Sequence, residues 1–420
     1  MILPPIIKRL LMLLSGAALG NLIVLAATPI LTRLYGPDDF GLLAMFASTS
    51  GILGAVFCLR YEQAVYIPRT DRTALLLVAG GLFCAAIFLV LFTGIGALIL
   101  WVFDETALGA WWLAVPLAGA LLAVYNLLSN WAVRRHRVAI VVRTRVSRAV
   151  MQVCVQGGAG VTGFVPGGLM AGDLAGRVAG VWVLGRLFIS ARESVLLSAK
   201  RVWFAMRRYR RFPLVAAPGA LVNVMVMQGV PLVLAFVYSP SVAGIYFLVQ
   251  RLMAAPLALV GQSVAQVLTS ELARKLASGD RGCFRLYARA VVGLAILGGI
   301  PIALVGVFAG PYLPTILGVE WRGSGDFLLA LTPFFVGQFV VSPLANFMNA
   351  LGRQGGLFTW DLLRLLVAFP VLILPDAFGW SVELAISLFS WVMFAFYILL
   401  SLWLGKLLWQ EDASRQNLKS

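Results

Sequence analysis

Residues 28–46 read TPILTRLYGPDDFGLLAMF, and residues 229–248 read GVPLVLAFVYSPSVAGIYFL. In each, an apolar run ends at a tyrosine, a proline opens the next run two residues later, and a glycine follows four residues on. The first copy is Tyr35-Gly36-Pro37-x-x-x-Gly41 and the second Tyr238-Ser239-Pro240-x-x-x-Gly244. Proline and glycine suit a tight turn between two helices, so either copy alone is only turn chemistry. The spacing carries more information. The copies stand 203 residues apart, Gln63 falls opposite Gln266 at the same offset, and Asn21–Pro29 matches Asn223–Pro231 at an offset of 202. This ordered set, with one insertion and a period near half of the 420 residues, reads as an internal repeat.

The runs on either side of these turns are apolar beyond what a soluble surface tolerates. The chain is 61% hydrophobic and 12% charged, with a mean hydropathy of +0.94. Soluble domains carry about 25% charged residues. About 20 apolar residues cross a bilayer as a helix. Twelve such stretches are legible, near 10–33, 39–60, 73–101, 109–132, 148–166, 168–190, 212–238, 241–269, 286–309, 325–350, 356–375 and 380–405. The first begins after Lys8 and Arg9 and runs on to Leu31. That is too long for a signal-peptide core, so it reads as an uncleaved helix.

The net charge of +16 does not indicate nucleic acid, because the charges follow the membrane. With twelve alternating helices and an internal N-terminus, 28 of the 33 Lys and Arg residues fall on one side and two, Arg33 and Arg322, on the other. This asymmetry is the positive-inside rule, and it places both termini in the cytoplasm. The excess then faces anionic lipid headgroups. Six helices per repeat is an even number, so both copies enter the membrane from the same side. The expected fold is an all-α polytopic membrane protein of two six-helix lobes, 1–190 and 212–405, related by a pseudo-two-fold axis along the membrane normal. A basic cytoplasmic linker, 191–211, joins them, and residues 406–420 form a cytoplasmic tail. In the linker Val195, Ala199, Val202, Trp203 and Met206 recur at helical spacing among basic residues. That pattern suits an amphipathic helix on the inner membrane face.

No P-loop, dinucleotide fingerprint, CxxC pair or HExxH motif occurs. The four cysteines lack metal spacing, and the single histidine, His136, lies in the basic stretch VRRHRV. No catalytic residue, metal or cofactor is therefore expected. The chemistry lies in polar groups inside the spans, where a charge costs roughly 2.5–3.5 kcal/mol on insertion scales and faces a protein interior or a water-filled path. Arg251 has no acid three or four residues away. Arg177 has Asp173 at i−4, and Arg364 has Asp361 at i−3. Each of these pairs reads either as a structural lock or as tempered positive charge. Gln250, Asn21 and Asn223 add polar lining. Arg33, Arg60 and Glu62 lie near helix ends, where snorkelling also accounts for a charge.

LTRLYGPDDFGLLAMF, followed by CLRYEQAVYIPR (58–69), resembles the start of bacterial polysaccharide flippases, a branch of the multidrug/oligosaccharidyl-lipid/polysaccharide exporter superfamily. PLALVGQSVAQVL (256–268) is similar to that family's eighth helix, and residues 318–355, with Gly318-x-x-Trp321-x-x-x-Gly325 and Asn349-Ala-Leu-Gly-Arg-Gln354, to its tenth-helix region. The resemblance implies an inner-membrane flippase that carries undecaprenyl-pyrophosphate-linked oligosaccharide units from the cytoplasmic to the periplasmic leaflet, energised by an ion gradient or the membrane potential. It implies a cationic cavity, to which Arg251, Arg364, Arg177, Arg60, Arg33, Asn21, Asn223 and Gln250 are assigned as substrate contacts, with Asp361, Asp173 and Glu62 as ion-coupling candidates. Expected partners are the lipid-linked oligosaccharide, membrane lipids, and the polymerase and glycosyltransferases of the same pathway. Two alternatives stand beside this reading: a multidrug exporter of the same superfamily, and a membrane glycosyltransferase, polymerase or ligase of that pathway.

Overall fold

The computed structural model describes residues 5–102, 108–192, 198–278, 282–351 and 353–417. Helices account for the architecture. In chain order they are α1 (Pro5–Leu34), α2 (Pro37–Val56), α3 (Tyr61–Ala64), α4 (Asp71–Val102), α5 (Ala114–Arg134), α6 (Val138–Val161), α7 (Gly167–Arg192), α8 (Ala199–Arg208) and α9 (Ala217–Val237). They continue with α10 (Pro240–Ser278), α11 (Cys283–Leu294), α12 (Ile300–Phe308), α13 (Leu313–Leu317), α14 (Ser324–Ala345), α15 (Phe347–Ala350), α16 (Gln354–Ala377) and α17 (Val382–Asn417). A π-helical turn, residues 295–299, joins α11 to α12 into one rod. Among the described residues, eight stretches are long and apolar enough on their own to cross a membrane. The chain is thus an all-α, multi-pass membrane protein, and its long helices follow the twelve spans legible in the sequence.

Several boundaries move outward. α6 starts at Val138 and carries Arg143 and Arg145, which lie before the expected start of the span at 148. Their aliphatic stems let the heads reach an interface without ending the helix. α10 runs on to Ser278 and α17 to Asn417, through the residues expected as a tail. Position 195 and residues 103–107, within the turn expected between the third and fourth spans, lie outside the described residues.

The opening turn is explained by its capping. Pro37 occupies the first helical position of α2, where a missing N–H costs nothing, and Asp39 Oδ2 accepts the Gly36 N–H at 2.9 Å. Asp38 and Asp39 lie in the first turn, where the helix dipole favours negative charge. In the second copy Ser239 Oγ accepts the Val242 N–H at 3.2 Å, with Pro240 starting α10.

Two compact units, Met1–Phe247 and Leu248–Ser420, divide the chain. In the first, α2 packs on α5 and α9, α4 on α5 and α8, and α7 on α6, which in turn packs on α1. α9 belongs to the second sequence repeat, yet it lies against α2 of the first. The α6–α7 contact is close because Gly168, Gly172, Gly176 and Gly180 share one face of α7. A Cβ on Gly172 would stand 2.8 Å from the Gln152 carbonyl oxygen, and one on Gly176 2.9 Å from that of Arg148. Without a hydrophobic drive inside lipid, such small residues let helix backbones approach. In the second unit α14 packs on α17 and α12, and α16 on α17. Phe334, Phe335, Phe389 and Tyr397 form its aromatic centre.

Candidate functional site

Among the described residues, two aspartate–arginine pairs, each with its arginine buried, stand inside long helices, one in each unit. The first belongs to a cluster built by α5, α6 and α7. Arg177 and Asp173 are 4% and 7% exposed, and Arg177 Nε lies 2.7 Å from Asp173 Oδ2. The guanidinium also donates from Nη1 to the Ala118 carbonyl at 2.8 Å, tying α7 to α5. Arg148 of α6 lies over the Tyr125 ring at 5.5 Å, within electrostatic reach of both Asp173 and Arg177. Tyr125 Oη and Thr144 Oγ1 share a hydrogen bond at 3.2 Å. Two arginines thus stand against one aspartate. Sequence reasoning placed Arg148 at the edge of a loop. Its i,i+4 spacing from Thr144, on the Tyr125 side of α6, was the available signal.

The second cluster joins α16 to α17. Arg364 is 5% exposed and pairs with Asp361 at 3.2 Å between Nη2 and Oδ1. Tyr397 lies in hydrogen-bonding reach of it. The Arg364 Nε is buried with no hydrogen-bond acceptor among the described residues. Arg251 and Gln250 are half-buried on α10. Asn21, Arg33 and Asn223 are exposed, on α1 and α9. Gln228, one face of α9 away from Asn223, meets α2 at Gly51, where an added Cβ would fall 2.7 Å from its Nε2. It was not singled out from sequence.

Arg60 and Glu62 form a third arrangement, which neither snorkelling nor helical spacing anticipates. Leu59 and Arg60 both have positive φ, at 48° and 60°. Two consecutive left-handed non-glycine residues cost on the order of 1–3 kcal/mol each and persist only where surroundings hold them. The holders are visible. Arg60 Nη1 reaches Glu62 Oε1 at 3.3 Å, and Asn130 of α5 donates to the Glu62 carbonyl at 3.0 Å. Arg134 donates to the carbonyls of Val65 and Pro68 at 3.0 and 2.7 Å. Tyr61 Oη donates to the Met206 carbonyl of α8 at 3.2 Å. Glu62 is 8% exposed, and its Oε2 is buried with no partner among the described residues. Burial pushes the carboxyl above the ordinary glutamate range, against the opposing pull of its backbone hydrogen bond and of Arg60.

Comparison with solved structures bears on the fold. A multidrug-resistance transporter of the MATE family, in the MOP superfamily and solved inward-facing, matches with a TM-score of 0.71 at 12% identity, covering 97% of this chain and 99% of its own. The lipid II flippase MurJ, in an inward closed conformation, matches with a TM-score of 0.69 at 12% identity over 98% of this chain and 91% of its own. A MOP-superfamily transporter from Pyrococcus furiosus, described as having a binding pocket of reversed polarity, matches at 0.58 and 12% identity over 97% and 96%. These likenesses establish the two-lobed helical fold of that superfamily. The sequence then fixes the family. Residues 30–326 match the model of the polysaccharide biosynthesis protein family, and the chain belongs to that family. Comparison with curated proteins finds no match.

Proposed function

We propose that the chain is a flippase that carries undecaprenyl-pyrophosphate-linked oligosaccharide units from the cytoplasmic to the periplasmic leaflet of the bacterial inner membrane, by alternating access and driven by an ion gradient or the membrane potential. Family membership supplies the polysaccharide context, and the likeness to a lipid II flippase supplies a fold known to move a lipid-linked cargo. The observation that carries the reading is the sign of the helix-embedded charge. Arg148, Arg177, Arg251 and Arg364 stand in long helices against Asp173 and Asp361. A pyrophosphate is an anion that arginine holds through charge-assisted, often bidentate hydrogen bonds. An exporter of cationic drugs would want carboxylates in these places.

Of the substrate contacts, Arg251 is tested first: it stands half-buried inside α10, next to the polar Gln250. Asp173, Asp361 and Glu62 remain the ion-coupling candidates. The test is a substitution series at Arg251 in a strain lacking the chromosomal copy. Arg251→Ala should abolish polymer export at a normal protein level, and Arg251→Lys should keep part of it, because charge matters first and fork geometry second. Normal export by Arg251→Glu would remove this residue from the substrate path.

A further inference from the structure

The basic linker was expected to lay its apolar stripe on the membrane. The structure divides that stripe, turning Val202 and Met206 inward and leaving Ala199 and Trp203 exposed. Ala205 is buried, and Val202, Met206 and Tyr209 are half-buried. They turn α8 onto α4, where Met206 packs over Gly80, and onto the turn at Tyr61. The Val202–Ala205–Met206–Tyr209 side of α8 is therefore turned toward protein.

What remains outward is unusual for a surface that faces only water. Trp203 and Phe204 are 63% and 56% exposed, and Lys200, Arg201, Arg207 and Arg208 surround them, all exposed. Among the described residues no ion pair engages these four cations. No acid occurs in the sequence between Glu193 and Glu271 to neutralise them. The next membrane-crossing stretch begins at Phe212, four residues after α8 ends. At about 3.5 Å per residue this tether keeps α8 within roughly 14 Å of that span's start, at headgroup level. Cations that seek phosphate and aromatic rings that seek the acyl boundary are the two halves of an interfacial binding face.

We propose that the outer face of α8 is a docking surface for anionic phospholipid headgroups, and that its occupancy steadies the Arg60–Glu62 turn. The second half follows from the hydrogen bond of Tyr61 to the Met206 carbonyl. α8 is one of the elements that hold a turn strained by two left-handed residues. Fixing α8 to the headgroups limits the freedom of that turn to relax.

The test uses the full chain in lipid nanodiscs of phosphatidylcholine containing brominated phosphatidylglycerol or, separately, brominated phosphatidylcholine. Trp203 emission is taken as the difference between wild type and Trp203→Phe. Brominated phosphatidylglycerol should quench it in clear preference to brominated phosphatidylcholine. Arg201→Gln/Arg207→Gln/Arg208→Gln should lower that preference by roughly tenfold or more, since each basic residue near an anionic surface contributes about fivefold. Phosphatidylglycerol should also slow amide exchange at residues 61–65 in wild type. Tyr61→Phe should keep the quenching preference and lose that slowing. Equal quenching by the two brominated lipids in wild type, or an undiminished preference in the triple variant, overturns the docking surface. Exchange at 61–65 that ignores phosphatidylglycerol overturns the link to the turn.

Discussion

Gly41→Ala is the sharpest perturbation of the repeat. Gly41 of α2 lies against Pro240 at the start of α10, and Gly244 lies against Pro37 at the start of α2. The glycine of each repeat thus meets the proline of the other. A Cβ on Gly41 would fall on the Pro240 carbonyl oxygen and stand 2.5 Å from the carbonyl carbon and 2.9 Å from the Cα; ordinary contact begins near 3.4 Å. The two segments must part by more than the 0.9 Å that separates 2.5 from 3.4 Å at the carbonyl carbon, because the carbonyl oxygen is nearer still. The obstacle is backbone, which cannot rotate aside as a side chain would. Overpacking costs about 1–3 kcal/mol, and the rigid neighbour puts Gly41→Ala at the upper end. A shift of about 3 kcal/mol changes a conformational equilibrium roughly 150-fold. Gly244→Ala should match it, because a Cβ there would stand 2.8 Å from the Gly41 nitrogen and would fall on the Pro37 carbonyl oxygen. Gly94→Ala in α4 is the control, with nothing within 4 Å of the added carbon. There alanine should be neutral or stabilising by up to about 1 kcal/mol through helix propensity. Thermal unfolding in detergent and polymer export together read the outcome: Gly41→Ala and Gly244→Ala lose both, and Gly94→Ala loses neither. If Gly41→Ala behaves as Gly94→Ala does, the close backbone contact is not required.

Removing Asp173 alone leaves Arg177 buried without its counter-charge, at a cost of about 3–5 kcal/mol; membrane abundance should fall, and Asp173→Ala/Arg177→Ala should restore most of it. The Asp361→Ala/Arg364→Ala variant should reach normal abundance yet fail to export, and wild-type export by it would end the substrate role of Arg364. The folded Glu62 carboxyl keeps its proton to a higher pH than an unfolded glutamate near 4.3, so the folded state binds more protons above that value and stability falls as pH rises through the window. The thermal midpoint should show that decline, Glu62→Gln should flatten it, and an unchanged slope in the variant would assign the decline elsewhere. Asp412 accepts the N–H groups of Gly282, Cys283 and Phe284 at 3.2, 3.1 and 3.0 Å, capping α11 from the end of α17; Asp412→Ala should cost about 1–2 kcal/mol, read as faster amide exchange at 283–286, and unchanged exchange would refute the cap.

The spans and the repeat were legible because apolar length and proline–glycine turns are local signals. The Pro37–Gly41 and Pro240–Gly244 motifs even marked a real contact, although only the structure shows each glycine against the other copy's proline. Ends were less legible. Arg143 and Arg145 looked like a loop because a charge count penalises residues whose heads can leave the membrane while their backbone stays helical. The same reasoning cut off α17 before Asp412, whose role depends on a partner about 130 residues away. The four-residue glycine series on α7 was readable as a packing face and passed unread. The i,i+4 and i,i+3 pairs of Asp173–Arg177 and Asp361–Arg364 followed from helical spacing. The Arg60–Glu62 pair did not, since residues two apart face each other only when the backbone leaves the helix, as the positive φ of Arg60 makes it do.

The central claim is that the chain moves a finished lipid-linked oligosaccharide rather than building one. The most direct measurement is the structure and sidedness of lipid-linked oligosaccharides in the native host after deletion of the chain. Membrane lipids are extracted for mass analysis, and spheroplasts are probed with a membrane-impermeant glycosidase. Complete repeat units should accumulate, shielded from the external glycosidase, and the wild-type chain should make them accessible again where Arg251→Ala does not. Units lacking a sugar or a linkage, or complete units already open to the glycosidase, would contradict a flippase.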